Sequence, residues 1–147
     1  EKKGYPKEWI DKRLRGIAVR QDLTDEWKVR GASTSVEFAI LTNEIMHGAF
    51  GLTVDQYKEI KSLQRDNLRD HMTDIELILT MLAEATTTKL HRDRDTQTME
   101  PLKKDARDGG AVAGRTREDI ERQGGKPVIS TENFKQLTAK RSKKLKA

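Results

Sequence analysis

The sequence contains no cysteine, only three prolines and few aromatic residues. The lack of cysteine excludes disulfides, thiolate nucleophiles and cysteine-ligated zinc or iron–sulfur centres. Aromatic residues make up only 5% of the chain, which argues against a stacking platform for single-stranded nucleic acid. No run approaches the ~20 apolar residues of a membrane span, and the charged start is unlike a signal sequence. We therefore expect a cytoplasmic protein without membrane contact.

The net charge of +5 is concentrated at the C-terminus. From Phe134 to Ala147 there is no acidic residue and there are six basic ones: Lys135, Lys140, Arg141, Lys143, Lys144 and Lys146. Removing these six from the 29 basic residues of the chain leaves 23 against 24 acidic ones, so the rest is close to neutral. We predict a helical domain over residues 1–133 and a flexible basic tail over residues 134–147. Lys140, Arg141, Lys143 and Lys144 are candidate nucleic-acid contacts, because such an arm can meet phosphates.

The N-terminal third predicts two helices. The first begins at Pro6, carries Ile10, Leu14 and Ile17 at helical spacing, and runs to about Arg20. Thr24 can cap a short second helix that Gly31 ends.

Three capping boxes then predict helix starts. Each places a threonine three residues before Glu or Gln, and the pairs are Thr34–Glu37, Thr53–Gln56 and Thr73–Glu76. The helix that follows Thr34 is expected to stop near Gly48, with Gly51 closing the turn. The third box opens the most apolar segment, in which Ile75, Ile78, Leu79 and Leu82 form one stripe and Leu77 and Met81 a second face. Such a pattern predicts a central helix over about 74–90, covered by several neighbours.

The end of that helix and the next one are also readable. Thr86–Thr88 lower helix propensity, so either fraying or a partner contact is expected there. Residues 91–97 are interpreted as a polar connection. A long helix over about 99–123 follows and contains a strip of small residues, Ala106, Gly110, Ala113 and Gly114. The strip suits close approach of another backbone, either within the chain or in a dimer. Together the elements predict an all-α, compact multi-helix bundle.

A search for catalytic or metal-binding patterns finds none. His47, His71 and His91 fall on separate segments, and no serine lies in a nucleophile motif. Four acidic residues cluster near the start of the central helix: Asp66, Asp70, Asp74 and Glu76. A metal-dependent nuclease could use them, but helix-start electrostatics and ion pairs explain them more simply. We expect no catalytic residue, no metal and no cofactor.

The segment from Arg65 to Thr73 lies between two capped helices and contains Arg65, Asn67 and Arg69 close together. Arginine favours bidentate contact with carboxylate or phosphate. These three residues are therefore candidate nucleic-acid contacts, with Arg69 bound to a helix end or an aspartate as the competing interpretation.

Several blocks of the chain resemble a known family. They are Gly4-Tyr5, Glu8–Asp11, Arg13–Ile17, Leu23–Lys28, Glu37–Thr42, Asn67–Thr73, Met81–Ala85 and Gly109–Gly114. In order and without large gaps, up to about Phe134, they are similar to the region after the Bro-N domain in phage antirepressor-like proteins and to the C-terminal half of the DNA-damage-inducible protein D family. The resemblance implies a bacterial or phage protein whose DNA-binding Bro-N domain would precede this region. It also implies a link to the SOS response or to prophage repression, and a recombinase filament or a repressor as partner. The tail from Lys140 lies outside the pattern.

Three functional hypotheses follow. The first is a non-catalytic helical interaction and oligomerisation module that presents helical faces to a protein partner and forms a homo-oligomer. The second is direct, largely sequence-independent binding of nucleic acid. The third is a metal-dependent nuclease built on Asp66, Asp70 and Glu76.

Overall fold

The computed structural model describes residues 4–134. Within them the chain forms α1 (Lys7–Arg30), α2 (Ser35–Phe50), α3 (Val54–Ile60), a 3-10 helix (Leu68–His71), α4 (Asp74–Arg94) and α5 (Met99–Gly124), and no strand. Helix α4 packs against α1, α2 and α5, so the predicted all-α bundle with a central helix is confirmed. None of the helices in this range combines the length and the apolar composition that a membrane crossing requires.

The three predicted capping boxes are all formed. The side chains of Thr34, Thr53 and Thr73 each accept a hydrogen bond from a backbone N–H three residues on. The side-chain oxygens of Glu37, Gln56 and Glu76 each accept one from the backbone N–H of the capping threonine. The predicted glycine ends hold at Gly31 and Gly51, which adopt the left-handed conformation with φ of 115° and 70°.

The predicted break between Arg20 and Thr24 is wrong, because α1 is one continuous helix. The Thr24 hydroxyl does not cap a new helix; it donates to the carbonyl oxygen of Arg20 over 2.9 Å, one turn back. Leu23 and Trp27, on either side of Thr24, are fully buried. Tertiary burial of these two large side chains keeps the helix running.

Helix α4 also extends further than expected. It passes through Thr86–Thr88 to Arg94, so the predicted fraying and the polar connection from His91 are wrong. Thr87 is buried and its hydroxyl donates to the carbonyl oxygen of Ala83 over 2.8 Å. The apolar stripe is only partly correct, since Leu79 is buried but Ile78 is 43% exposed.

His91, near the end of α4, is hydrogen-bonded to two other helices. The buried indole N–H of Trp27 donates to Nε2 of His91 over 3.1 Å. The proton of the imidazole must therefore lie on Nδ1, which is 2.9 Å from a carboxylate oxygen of Asp105. One buried histidine thus connects α1, α4 and α5.

The small-residue strip of α5 packs inside the chain. Ala106, Gly110, Ala113 and Gly114 are buried, and a Cβ added to Gly110 or Gly114 would collide with the α2 backbone. On α2 the matching position is Gly48, where an added Cβ would lie 2.9 Å from the amide nitrogen of Ala111. Gly48 lies within α2, which ends at Phe50. The close approach of α5 leaves no room for a side chain at position 48. Of the two interpretations of the strip, close packing within the chain is the one that this structure contains.

The segment after α5 closes the core over a buried ion pair. Lys61 Nζ lies 2.9 Å from Glu76 Oε1 and donates to the carbonyl oxygen of Ser130 over 2.8 Å. Both side chains are completely buried, and the Tyr57 hydroxyl donates to the same carboxylate. At the end of the segment Phe134 stacks on Tyr5, with ring centroids 3.5 Å apart. The predicted basic tail beyond Phe134 lies outside the described residues.

Candidate interaction groove

A groove of about 510 Å³ opens between α1 and the turn that follows α3. Helix α1 supplies Arg13, Ile17, Arg20 and Gln21 from one face, because these positions recur at helical spacing. The remaining lining residues come from α2, α3 and the turn into the 3-10 helix: Thr42, Met46, Val54, Lys58, Arg65, Asp66, Asn67, Leu68 and Arg69. The groove thus contains all three residues of the predicted segment, Arg65, Asn67 and Arg69.

The floor of the groove is a triad of two arginines on one carboxylate. Arg69 donates from both terminal nitrogens to the two oxygens of Glu84, at 2.7 Å each. Arg20 donates to Oε2 of the same carboxylate over 2.9 Å and to the Thr42 hydroxyl over 2.7 Å. The Glu84 side chain is only 1% exposed. The interpretation of Arg69 as a residue bound to an acid is therefore the observed one, although the acid is a glutamate of α4.

Burial and neighbouring charge act in opposite directions on this triad. Burial alone would raise the pKa of the Glu84 carboxyl, but Arg69 and Arg20 outweigh it and hold that pKa below its usual value. Burial lowers the pKa of Arg20; Glu84 opposes this and the charge of Arg69 adds to it. Two guanidinium groups on one carboxylate leave a surplus positive charge at the floor.

Local structure places the other groove residues. The Asn67 side chain accepts from the backbone N–H of Arg69 over 3.0 Å, which starts the 3-10 helix and turns Arg69 toward α4. Arg13 is 3.1 Å from a carboxylate oxygen of Asp70. Asn67 is thus a capping residue in this structure. Arg65 is the exposed one of the two arginines, whereas Arg69 is half-buried.

The groove and its immediate bonding partners carry a net positive charge. Five cationic side chains line it: Arg13, Arg20, Lys58, Arg65 and Arg69. Three carboxylates offset them, namely Asp66 in the lining, Asp70 on Arg13 and Glu84 on the two floor arginines. Five against three leaves two positive charges in a concave surface, where fields concentrate.

An apolar ridge borders the groove on α1. Leu14 is 58% exposed and Ile17, which lines the groove, is 50% exposed. They lie three residues apart, so their side chains are neighbours on the helix surface. The apolar face predicted for this helix is therefore exposed at these two positions, and the face that packs inward carries Trp9, Gly16, Leu23 and Trp27.

The remaining predicted site residues do not converge on the groove. Two carboxylates of the nuclease hypothesis are each engaged in a different ion pair. Asp70 pairs with Arg13, whereas Glu76 is buried against Lys61. Among residues 4–134 there is no group of three or more histidine, aspartate or glutamate side chains placed to hold a metal ion. The tail candidates Lys140, Arg141, Lys143 and Lys144 lie outside the described residues.

Sequence reasoning missed Arg13, Arg20, Lys58 and Glu84. The spacing of Arg13, Ile17 and Arg20 is a usable signal, because these residues lie on one face of a helix. The predicted helix ends at about Arg20, however, so Gln21 on the same face is not recognised as part of it. No local pattern connects Glu84 with Arg69 or places Lys58 beside them, since these contacts join residues from separate elements.

Fold and groove together define an all-α domain with a basic, apolar-edged cleft and a core closed by buried ion pairs. A family model described as the DinD C-terminal domain matches residues 12–137. The chain therefore belongs to the family of the C-terminal domain of DNA-damage-inducible protein D, as the sequence blocks predicted. No curated protein matches the chain.

Proposed function

We propose that this domain is a non-catalytic binding module of a DNA-damage-inducible protein and that it attaches to a protein partner through the groove and its apolar ridge. The observation that carries the proposal is the exposure of Leu14 and Ile17 beside a cleft with surplus positive charge. Single exposed apolar residues are ordinary on protein surfaces. Two neighbours at the edge of a charged cleft are typical of a docking site, where apolar anchors are surrounded by polar groups.

Energetic considerations support the ridge as an anchor. Complete burial of a leucine or isoleucine side chain contributes roughly 1.5–3 kcal/mol. Since about half of each ridge side chain is still accessible, covering both would contribute about 2 kcal/mol, which is a substantial share of a micromolar affinity. A recombinase filament or a repressor is the class of partner that the family resemblance implies.

Affinity capture tests this proposal. Extract from cells treated with a DNA-damaging agent, cleared of nucleic acid with nuclease, is passed over immobilised full chain. The proposal predicts a protein that the wild-type chain retains and that the Leu14→Ser/Ile17→Ser variant does not. Arg115→Ser, an exposed position on α5 away from the groove, is the matched control and retains it. Equal retention by all three chains contradicts the proposal.

Direct nucleic-acid binding is a second candidate, favoured by the exposed Arg65 and by the six basic residues of the tail. Such binding would release counterions and so weaken steeply with salt. Fluorescence polarisation with labelled single- and double-stranded DNA at low and near-physiological salt separates the two functions. Binding that weakens steeply as salt is raised but is still measurable near physiological salt, and that is lost on removal of residues 138–147, would favour this candidate.

Self-association is a separate part of the proposal. Because the small-residue strip of α5 is covered by α2, a homo-oligomer would have to use an exposed surface such as the ridge. Sedimentation equilibrium of the wild-type chain and of Leu14→Ser tests this. An oligomer that the substitution dissociates supports it, and a strict monomer at high concentration removes it.

A further inference from the structure

We propose that the groove binds an acidic amphipathic helix of the partner, with its carboxylates toward Arg65 and Lys58 and its apolar side chains on Leu14 and Ile17. The inference rests on the proposed function and names the chemistry of the segment that the groove would hold. The apolar contacts and the charged contacts would come from opposite walls of the groove. Helix α1 supplies the ridge, whereas α3 and the following turn supply the two cations.

The net charge of the groove indicates that its ligand is negatively charged. The groove and its bonding partners retain two positive charges after Asp66, Asp70 and Glu84 are counted. The floor arginines are held in place by Glu84 and Thr42, so they supply fixed positive potential rather than mobile arms. Arg65, which is exposed, and Lys58, which is half-buried, are the cations that can reach a bound carboxylate. The positive potential of such a cleft steers an acidic partner toward it, and added salt lowers the affinity by screening the charges.

The ridge identifies the ligand as a peptide rather than a phosphate backbone. Leu14 and Ile17 stand at one helical turn from each other, which matches apolar anchors at positions i and i+3 or i+4 of a docked helix. A nucleic-acid backbone consists of charged phosphates and polar sugars and has no aliphatic side chain that could cover them. No aromatic residue is present among the described residues that line the groove, so it has no ring on which a base could stack.

The hydrogen bonds already made by the floor arginines also favour a carboxylate ligand over a phosphate. Arg69 uses both terminal nitrogens on Glu84, and Arg20 uses its two on Glu84 and Thr42. A bound phosphate depends on several free donors converging on one group. A carboxylate at the rim needs only Arg65 or Lys58 and leaves the triad intact.

The experiment uses the full chain and a labelled helical peptide of about 16 residues, with glutamates on one face and leucines at i, i+3 and i+4 spacing on the other. A second peptide replaces each leucine by serine and keeps the charge. Single-stranded DNA is the third probe. Polarisation titrations are run with wild type, Arg65→Glu, Leu14→Ser and the control Arg115→Glu, which makes the same charge change on α5, outside the groove.

The proposal predicts that wild type binds the leucine peptide at least about tenfold more tightly than the serine peptide. Arg65→Glu and Leu14→Ser should each weaken binding about tenfold, by loss of charge and of apolar contact respectively, while Arg115→Glu changes it less than about twofold. Circular dichroism confirms that each variant is folded.

Two outcomes overturn the inference. Equal affinity for the leucine and serine peptides, or none for either, removes the amphipathic ligand. Tighter binding of DNA than of the leucine peptide, lost in Arg65→Glu, assigns the groove to nucleic acid. The capture experiment is independent of these probes, so a ridge-dependent protein partner together with a failed peptide titration would reject only the acidic helix and leave the proposed function standing.

Discussion

Arg69 holds Glu84 by two hydrogen bonds of 2.7 Å, one to each carboxylate oxygen, and so joins the 3-10 helix to the middle of α4. Because Arg20 bonds to the same carboxylate, Glu84 is the only counter-charge that the two floor arginines share in the described residues. The arrangement makes the shape of the groove depend on one buried acid.

Glu84→Gln is therefore expected to destabilise the fold strongly. The substitution keeps the size of the side chain but leaves two poorly solvated guanidinium groups without a carboxylate, which costs roughly 3–5 kcal/mol for a broken buried pair. Urea unfolding followed by circular dichroism measures it. Lys89→Gln, which breaks an exposed ion pair on the same helix, is the control and should cost less than about 1 kcal/mol. Similar losses for both variants would show that the triad does not hold the floor.

The contact between α2 and α5 predicts a sharp difference between two glycines. Gly48→Ala would place a Cβ 2.9 Å from the amide nitrogen of Ala111 and 3.0 Å from Cα of Gly110, so two helix backbones must separate. We expect a loss of at least about 2 kcal/mol, as for other overpacked core sites. Gly124→Ala, also in a helix but with nothing within 4 Å of the added Cβ, should be neutral or stabilising by up to about 1 kcal/mol. Thermal unfolding of both variants measures the two changes in stability. A larger loss for Gly124→Ala than for Gly48→Ala would contradict the tight contact between α2 and α5.

The buried histidine gives the fold a pH dependence. Burial lowers the pKa of His91 below its ordinary value of 6.5, and the hydrogen bond with Asp105 opposes this without reversing it. The folded state thus binds the proton less readily than the unfolded chain. The stabilisation is fully present above about pH 6.5 and is lost as the pH falls through the interval between that value and the lower folded pKa. The melting temperature should therefore fall between pH 7 and pH 5.

His91→Gln removes this titration, because glutamine carries no ionisable group. The variant is less stable than wild type at pH 7, and its melting temperature changes less between pH 7 and pH 5. An unchanged slope in His91→Gln would assign the pH dependence to other groups.

The segment after α5 should contribute measurably to stability. Asn133, which is buried, donates from its side-chain amide to the carbonyl oxygen of Lys61 over 2.8 Å. Asn133→Ala should cost about 1–2 kcal/mol, since it leaves that carbonyl without its buried donor. Thr131→Ala, two residues away and exposed, is expected to change stability by less than about 0.5 kcal/mol. Equal effects in denaturant titrations would mean that the segment does not close the core.

The sequence was most informative about helix starts, because a capping box is a local pattern of hydrogen bonds. The spacing from Thr34, Thr53 and Thr73 to Glu or Gln three residues on predicts these helix starts without reference to any tertiary contact. It misled where tertiary burial outweighs local preference. Leu23 and Trp27 carry α1 past Thr24, and the hydrogen bonds of His91 carry α4 past the threonine-rich stretch.

The groove could be predicted only in part. The concentration of two arginines and an asparagine between capped helices singles out Arg65, Asn67 and Arg69, and all three line the groove. Glu84, the residue that fixes Arg69, lies fifteen positions away on another helix, and periodicity contains no information about such a pair. The exposure of Leu14 and Ile17 was equally hidden, since spacing defines a helical face but not which neighbour covers it.

Site-specific photo-crosslinking tests the central claim most directly. A photoreactive amino acid replaces Leu14 on the ridge or, as the control, Glu118, which is exposed on α5. Both chains are irradiated in cells after DNA damage, and extracts are treated with nuclease before electrophoresis. The account predicts a protein adduct with the crosslinker at position 14 and none at position 118. Adducts that nuclease removes, or equal protein adducts at the two positions, would contradict the assignment of the ridge and groove as the site of a protein partner.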